Sequence, residues 1–149
     1  VEAPQRLVVV VHLATAWSMV GLIWMVQLVH YPLFDRVDPS RWSGFHADHS
    51  ARITWVLALP MPLQLLTALV LVAAPPAGAH RALLAVALGG VAVALAVTAL
   101  VSVPAHDVLS TGYDADAHRR LVVSNWTRTA AWTVAAGAAT AALWPRIGA

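Results

Sequence analysis

Five of the seven histidines, His30, His46, His49, His106 and His118, flank the polar stretches that interrupt an otherwise apolar chain. In a helix, His46 and His49 share one face with Ile53, and Arg52 lies about 60° round from His49. Neutral imidazole is the commonest metal ligand. With carboxylates at hand and no thiolate, it suits Zn, Cu or Fe. Asp48 and Asp107 each adjoin a histidine and are the candidates to orient a ligand ring. Helix bundles build metal sites from side chains on facing helices, including pairs at i, i+3. Taken singly, each histidine has a blander account, since an imidazole at a membrane interface meets both water and headgroups. The pair His46-x-x-His49 is also common by chance. The metal reading comes from five histidines at one depth.

A second constellation is the stripe Leu121, Asn125, Arg128 and Trp132, spaced four, three, four. An arginine at that depth in an apolar helix costs about 2.5–3.5 kcal/mol and usually faces a bundle interior or a wet cavity. Arg52 holds a similar position ahead of another apolar run. Arg52, Asn125 and Arg128 are therefore the candidate catalytic or substrate-polarising groups, set to bind an anion or a carbonyl. The competing account is snorkelling of the two arginines to lipid phosphates. Trp17, Trp24 and Tyr31 recur at sevens with Gln27 among them, as packing, as an interface anchor or as a wall for a flat ligand. Gln27 and Gln64 are polar groups within apolar runs that need partners.

The elements that carry these residues are apolar runs. The chain has 149 residues, one domain by length (1–149), with 60% hydrophobic and 11% charged residues. Mean hydropathy is +0.72. A soluble domain has about 25% charged residues, so this is a membrane composition. All nine basic residues are arginine, and there is no cysteine. Thiolate ligands, disulfides and cysteine nucleophiles are excluded, and no dense basic run points to nucleic acid.

About 20 apolar residues span a bilayer. Leu7–Val29, Ile53–Ala74, Ala82–Val103 and Leu121–Leu143 are the four expected spans, the last ended by Pro145. The first is too long for the apolar region of a cleaved signal peptide, about 7–15 residues. Asp38-Pro39 reads as a helix start, with Asp as cap and Pro at the first position. The expected helix runs through His46 and His49 into the second span, where Pro60 and Pro62 should kink it. Ala73–Gly78 is a turn. Small residues at spacing four, Ala85 with Gly89 and Gly90 with Ala94, allow close helix approach.

The fold expected is all-α: an antiparallel four-helix transmembrane bundle with a short helical polar connector before the second span. Both termini then share one face with Glu2, Arg6, His80, Arg81 and Arg146, opposite the histidine face. Arginine counts on the two faces are too close for the positive-inside rule to decide. The expectation is a multi-pass protein of a bacterial inner membrane with cytoplasmic termini.

Several motifs together, Gln27-Leu-Val-His30-Tyr31-Pro32-Leu-Phe34, His46-x-x-His49-x-x-Arg52, Pro60-Met61, Pro104-x-His106 and Asn125-Trp126-x-Arg128-Thr129-x-x-Trp132, resemble a family of uncharacterised bacterial four-helix integral membrane proteins. That family is of about this length, and the resemblance brings no function. The tryptophan-and-arginine pattern of the last helix is similar to that of anthrone-oxygenase-like membrane proteins. That likeness implies oxidation of a hydrophobic aromatic substrate.

The leading expectation is a small membrane metalloprotein, an oxidoreductase-type enzyme acting on a lipophilic small molecule. His30, His46, His49, His106 and His118 would supply the ligands for Zn, Cu or Fe. The alternatives are a non-catalytic accessory subunit of a larger membrane complex and a b-type haem protein. The lipid bilayer is the first partner, and a homo-oligomer is compatible with all three readings.

Overall fold

The computed structural model describes residues 3–144; Glu2, Pro145 and Arg146 lie outside the described residues. Among those described there is no strand, and the helices form a bundle of four rods. The first rod is α1 (Ala3–Met25), one π turn (Val26–His30) and a 3-10 stretch (Tyr31–Arg36). The second is a 3-10 turn (Pro39–Arg41), α2 (Trp42–Leu57) and α3 (Pro60–Ala73). The third is α4 (Arg81–Val97), a π turn (Thr98–Ser102) and α5 (Val103–Ser110). The fourth is α6 (Ala115–Leu143). Three rods, Ala3–Arg36, Pro39–Ala73 and Arg81–Ser110, are long and apolar enough to cross a membrane. α6 falls outside that class because it carries Asn125, Arg128 and a series of threonines.

Proline accounts for the irregular turns. Its ring clashes with the carbonyl four residues back and it has no amide to donate. Pro32 and Pro104 each stand two residues past the end of a π turn. There the amides of Tyr31 and Val103 bond five residues back, to the carbonyls of Val26 and Thr98. Widening the turn relieves the clash without ending the helix. At Pro60 the rod breaks instead, with Ala58 and Leu59 as a turn between α2 and α3. Three rods are thus interrupted on the way to the histidine end.

The start at Asp38-Pro39 is the one expected from the sequence, and Asp114 caps α6 in the same way. Asp38 accepts the Ser40 amide at 2.8 Å ahead of Pro39, and Asp114 accepts the Ala117 amide at 2.7 Å. The Ser40 hydroxyl and amide hold the Asp38 carboxyl below the usual carboxylate range. A carboxyl shifted that way keeps its charge, and the cap, above its ordinary value near 3.9, and loses both only as pH falls below it. Gly78, at φ 77°, turns the chain between α3 and α4.

α1 packs on α3 and α6, and α4 packs on the same two helices, so α1, α3, α4 and α6 close a ring. Three buried clusters stack along it. Leu71, Leu84 and Leu143 mark the end nearest the termini, Met19, Ile23 and Trp132 the middle, and Phe34, Trp42 and Leu121 the histidine end. α4 meets α6 most closely at Gly90, where a Cβ would stand 2.7 Å from the Ala131 carbonyl oxygen. Of the two small-residue pairs, Gly90 and Ala94 serve this contact, whereas Ala85 and Gly89 face outward.

Of the readings open for Trp17, Trp24 and Tyr31, the shared aromatic wall does not form. Trp17 (50% exposed) and Trp24 (38%) lie on the outer surface. Their indole N–H groups donate to Thr140 and Thr133 of α6, both at 3.1 Å. Tyr31 is buried. The π turn between Trp24 and Tyr31 adds a residue and rotates the remainder of the rod by about 100°.

Candidate functional site

The histidine end is built by the three interrupted rods. His30 closes the first π turn, His46 and His49 occupy the inward face of α2, and His106 lies in α5. Their rings form two bonded pairs. His30 Nε2 meets His49 Nδ1 at 2.7 Å, and His46 Nε2 meets His106 Nδ1 at 3.1 Å. The pairs face one another, with His49 and His106 stacked at 5.4 Å between centroids and His46 and His49 at 6.3 Å. His106 Nε2 also meets the Tyr31 hydroxyl at 3.3 Å. His49 is buried, and its Nε2 has no partner.

Aromatic side chains hold these rings. Trp42 stacks on His46 at 5.7 Å and donates its indole N–H to the Leu109 carbonyl at 2.7 Å. Phe34 sets its edge against His30 at 5.3 Å and His49 at 5.1 Å. Among the described residues, no three His, Asp or Glu side chains are arranged to hold a metal ion as they stand. The imidazole pairs are closed on themselves.

The fifth candidate, His118, stands apart with both nitrogens engaged. A carbonyl oxygen only accepts, so Nε2 donates to the Tyr31 carbonyl at 2.8 Å. Nδ1 then accepts from the Tyr113 hydroxyl at 3.1 Å. Burial first, then Asp35 and Asp114, push the Tyr113 phenol up, so it keeps the proton it donates. His118 fastens α6 to the end of the first rod. His12 lies in the core with Nδ1 on the Thr67 hydroxyl at 2.9 Å, and His80 is exposed at the start of α4.

The three catalytic candidates also divide. Arg52 is exposed, and Asp48 likewise points away from the cluster it was expected to orient. Asn125 and Arg128 are buried. Arg128 Nη1 donates to Asn125 Oδ1 at 3.0 Å and to Ser102 Oγ at 3.4 Å, and the guanidinium lies over the Trp132 ring at 5.2 Å. Asn125 Nδ2 donates to Gln27 Oε1 at 2.9 Å, and Trp132 Nε1 donates to Gln64 Oε1 at 3.0 Å. Both glutamines are thereby satisfied at their carbonyl oxygens. Arg128 Nε is buried without a partner.

A cavity of about 500 Å³ joins the two groups. His46, His49, His106, Tyr31 and Arg128 contribute its polar wall, and Leu22, Ile23, Val26, Ile53 and Leu57 its apolar one. It exists because α2 stands off from the ring. No Cα of α1 comes within 8 Å of a Cα of α2, and α2 is held by α5, the Pro39–Arg41 turn and the start of α3.

Sequence reasoning overlooked Ser102, which bonds Arg128, and read Tyr31, which bonds His106, only as part of an aromatic stripe. The available signal was proline: His30-Tyr31-Pro32 and Pro104-Ala105-His106 put a histidine two residues from a proline in both rods with a π turn. Single-turn π segments recur at functional sites.

The chain matches no family model, no curated protein and no solved structure.

Proposed function

We propose that the protein is a small integral membrane protein, an antiparallel four-span bundle. It binds one transition-metal ion on His30, His46, His49 and His106 and acts as an oxidoreductase on a lipophilic molecule held in the adjoining cavity. One observation carries this reading: four imidazoles from three rods face one another, three of them at the wall of a cavity, with no carboxylate bonded to any of them. Neutral imidazoles suit Zn, Cu or Fe.

Ligand spacing supports it. Two nitrogens each about 2.0–2.1 Å from one ion lie roughly 2.9–3.4 Å apart at octahedral or tetrahedral angles. The His46–His106 pair, at 3.1 Å, lies within that range, and the His30–His49 pair, at 2.7 Å, lies just below it. Small ring rotations, with each shared proton moving to the far nitrogen of its own ring, would open each pair toward a common point. His118, with both nitrogens occupied, is left out of the ligand set.

The membrane reading rests on the exterior. Leu7, Val10, Leu66, Val93, Leu100 and Val123 are exposed along the rods, and soluble monomers rarely present such continuous apolar surface. The polar residues of α6 are compatible with a fourth span because Asn125 and Arg128 are buried and bonded.

The test is a Co(II) titration of chelator-stripped protein in nonionic detergent. The expected result is visible d–d absorption that saturates at one Co(II) per chain. No absorption change would overturn the metal reading, and a Soret band in the purified protein would replace it with haem.

A further inference from the structure

We infer that the molecule held in this cavity is a lipophilic monoanion, with a carboxylate or phenolate head on Arg128 and an apolar tail in the seam between α1 and the second rod. The inference rests on the membrane reading above, and it holds whatever metal the histidines take.

The head group follows from charge. Arg128 is 5% exposed, and every partner it has is neutral: the Asn125 amide oxygen, the Ser102 hydroxyl and the face of Trp132. Its Nε is buried with nothing to receive its proton. A buried cation is retained when a counter-charge and further hydrogen bonds complete it. Among the described residues, no counter-charge is paired with Arg128. The salt bridges among the described residues are Arg36–Asp35 and Arg119–Asp116, both on the surface. Asp107 is the one carboxylate lining the cavity, and it is exposed and forms no ion pair with Arg128. The Tyr31 hydroxyl lines the same cavity. The inner end of the cavity is thus supplied with donors and positive charge and lacks an anion.

The tail follows from shape. Beyond Leu22 the cavity is succeeded by a groove of about 350 Å³ that shares that residue and runs between Met19 of α1 and Val56, Leu59 and Leu63 of the second rod. Val56 and Leu59 are half or more exposed, so the groove opens to the outer surface within the apolar length of the bundle. Break and seam share a cause, the turn before Pro60. An inorganic anion would satisfy Arg128 and leave these apolar walls unused; an amphiphile uses both.

The experiment measures equilibrium binding of radiolabelled oleate to the full chain in nonionic detergent, with methyl oleate as the uncharged comparison. Oleate is expected to saturate at one per chain and to bind at least tenfold more tightly than its ester. Arg128→Gln should remove that preference, leaving the ester's affinity and the metal content unchanged. Ile53→Trp, which fills the apolar wall and leaves Arg128 and its partners in place, should weaken oleate at least tenfold. It keeps the test decisive if Arg128→Gln does not fold.

Mass spectrometry of the solvent extract separates the sources. A fatty acid identifies a membrane lipid, an aromatic phenol identifies a dedicated substrate, and either supports the inference. Equal binding of acid and ester, or oleate binding indifferent to both substitutions, overturns it. Charge-dependent oleate binding by a chain without metal would overturn the metal reading alone.

Discussion

Replacing His49 with alanine is expected to lower metal occupancy at least tenfold. Among the four clustered histidines, His49 links the two imidazole pairs. Its Nδ1 meets His30, its ring stacks on His106, and its Nε2 is buried and unpartnered at the cavity wall. Changing a residue that merely orients a ligand commonly costs 10–100-fold in metal affinity, and removal of a ligand itself should cost no less. His118→Ala is the matched control. It breaks two hydrogen bonds to Tyr113 and the Tyr31 carbonyl but takes no nitrogen from the cluster. That variant should lose some stability and keep its metal. Metal content of both variants by elemental analysis checks this; equal occupancy in the two would remove the distinction between a ligand and a fastening residue.

The second large effect is expected at Asn125. Substitution by leucine leaves Gln27 Oε1 without this partner and Arg128 Nη1 with only its longer bond to Ser102 Oγ. Interhelical side-chain hydrogen bonds within membranes average only about 0.6 kcal/mol, so the lost link to Gln27 decides little. The guanidinium decides the outcome. An unsatisfied buried polar group costs about 1–3 kcal/mol, and more when charged, so the total should reach about 3 kcal/mol. At roughly 2–4 °C per kcal/mol, the thermal midpoint in detergent should fall by about 6–12 °C. Asn125→Asp should fall less, because its carboxylate would pair with Arg128 from within the bundle. A midpoint in Asn125→Leu equal to that of the unsubstituted protein would show that the network carries no strain when cut.

Much of this site could be read in advance, and the failures have physical causes. The apolar runs, the Asp38-Pro39 start and the depth of the histidines are local properties of composition and capping, and they carry directly into the rods. Counting at 3.6 residues per turn works until a π turn intervenes. Trp17 and Trp24 precede one and face outward, whereas Tyr31 comes after it and faces inward. The interior position expected for Arg52 fails for a different reason. α2 stands off from the ring, so only its His46 and His49 face is covered, and a residue about 60° away from that face is in the open. His118 is indistinguishable in sequence from the clustered four; only the contacts with Tyr113 and the Tyr31 carbonyl set it apart. The cavity was not legible at all, because it is a property of how the broken second rod leans on the third.

The central claim is that the four histidines hold a metal, and elemental analysis of the unsubstituted protein tests it most directly. Protein purified from its own membrane in nonionic detergent, without chelator or immobilised-metal chromatography, is expected to contain about one Zn, Cu or Fe per chain. Less than about a tenth of an equivalent of every transition metal would contradict the account.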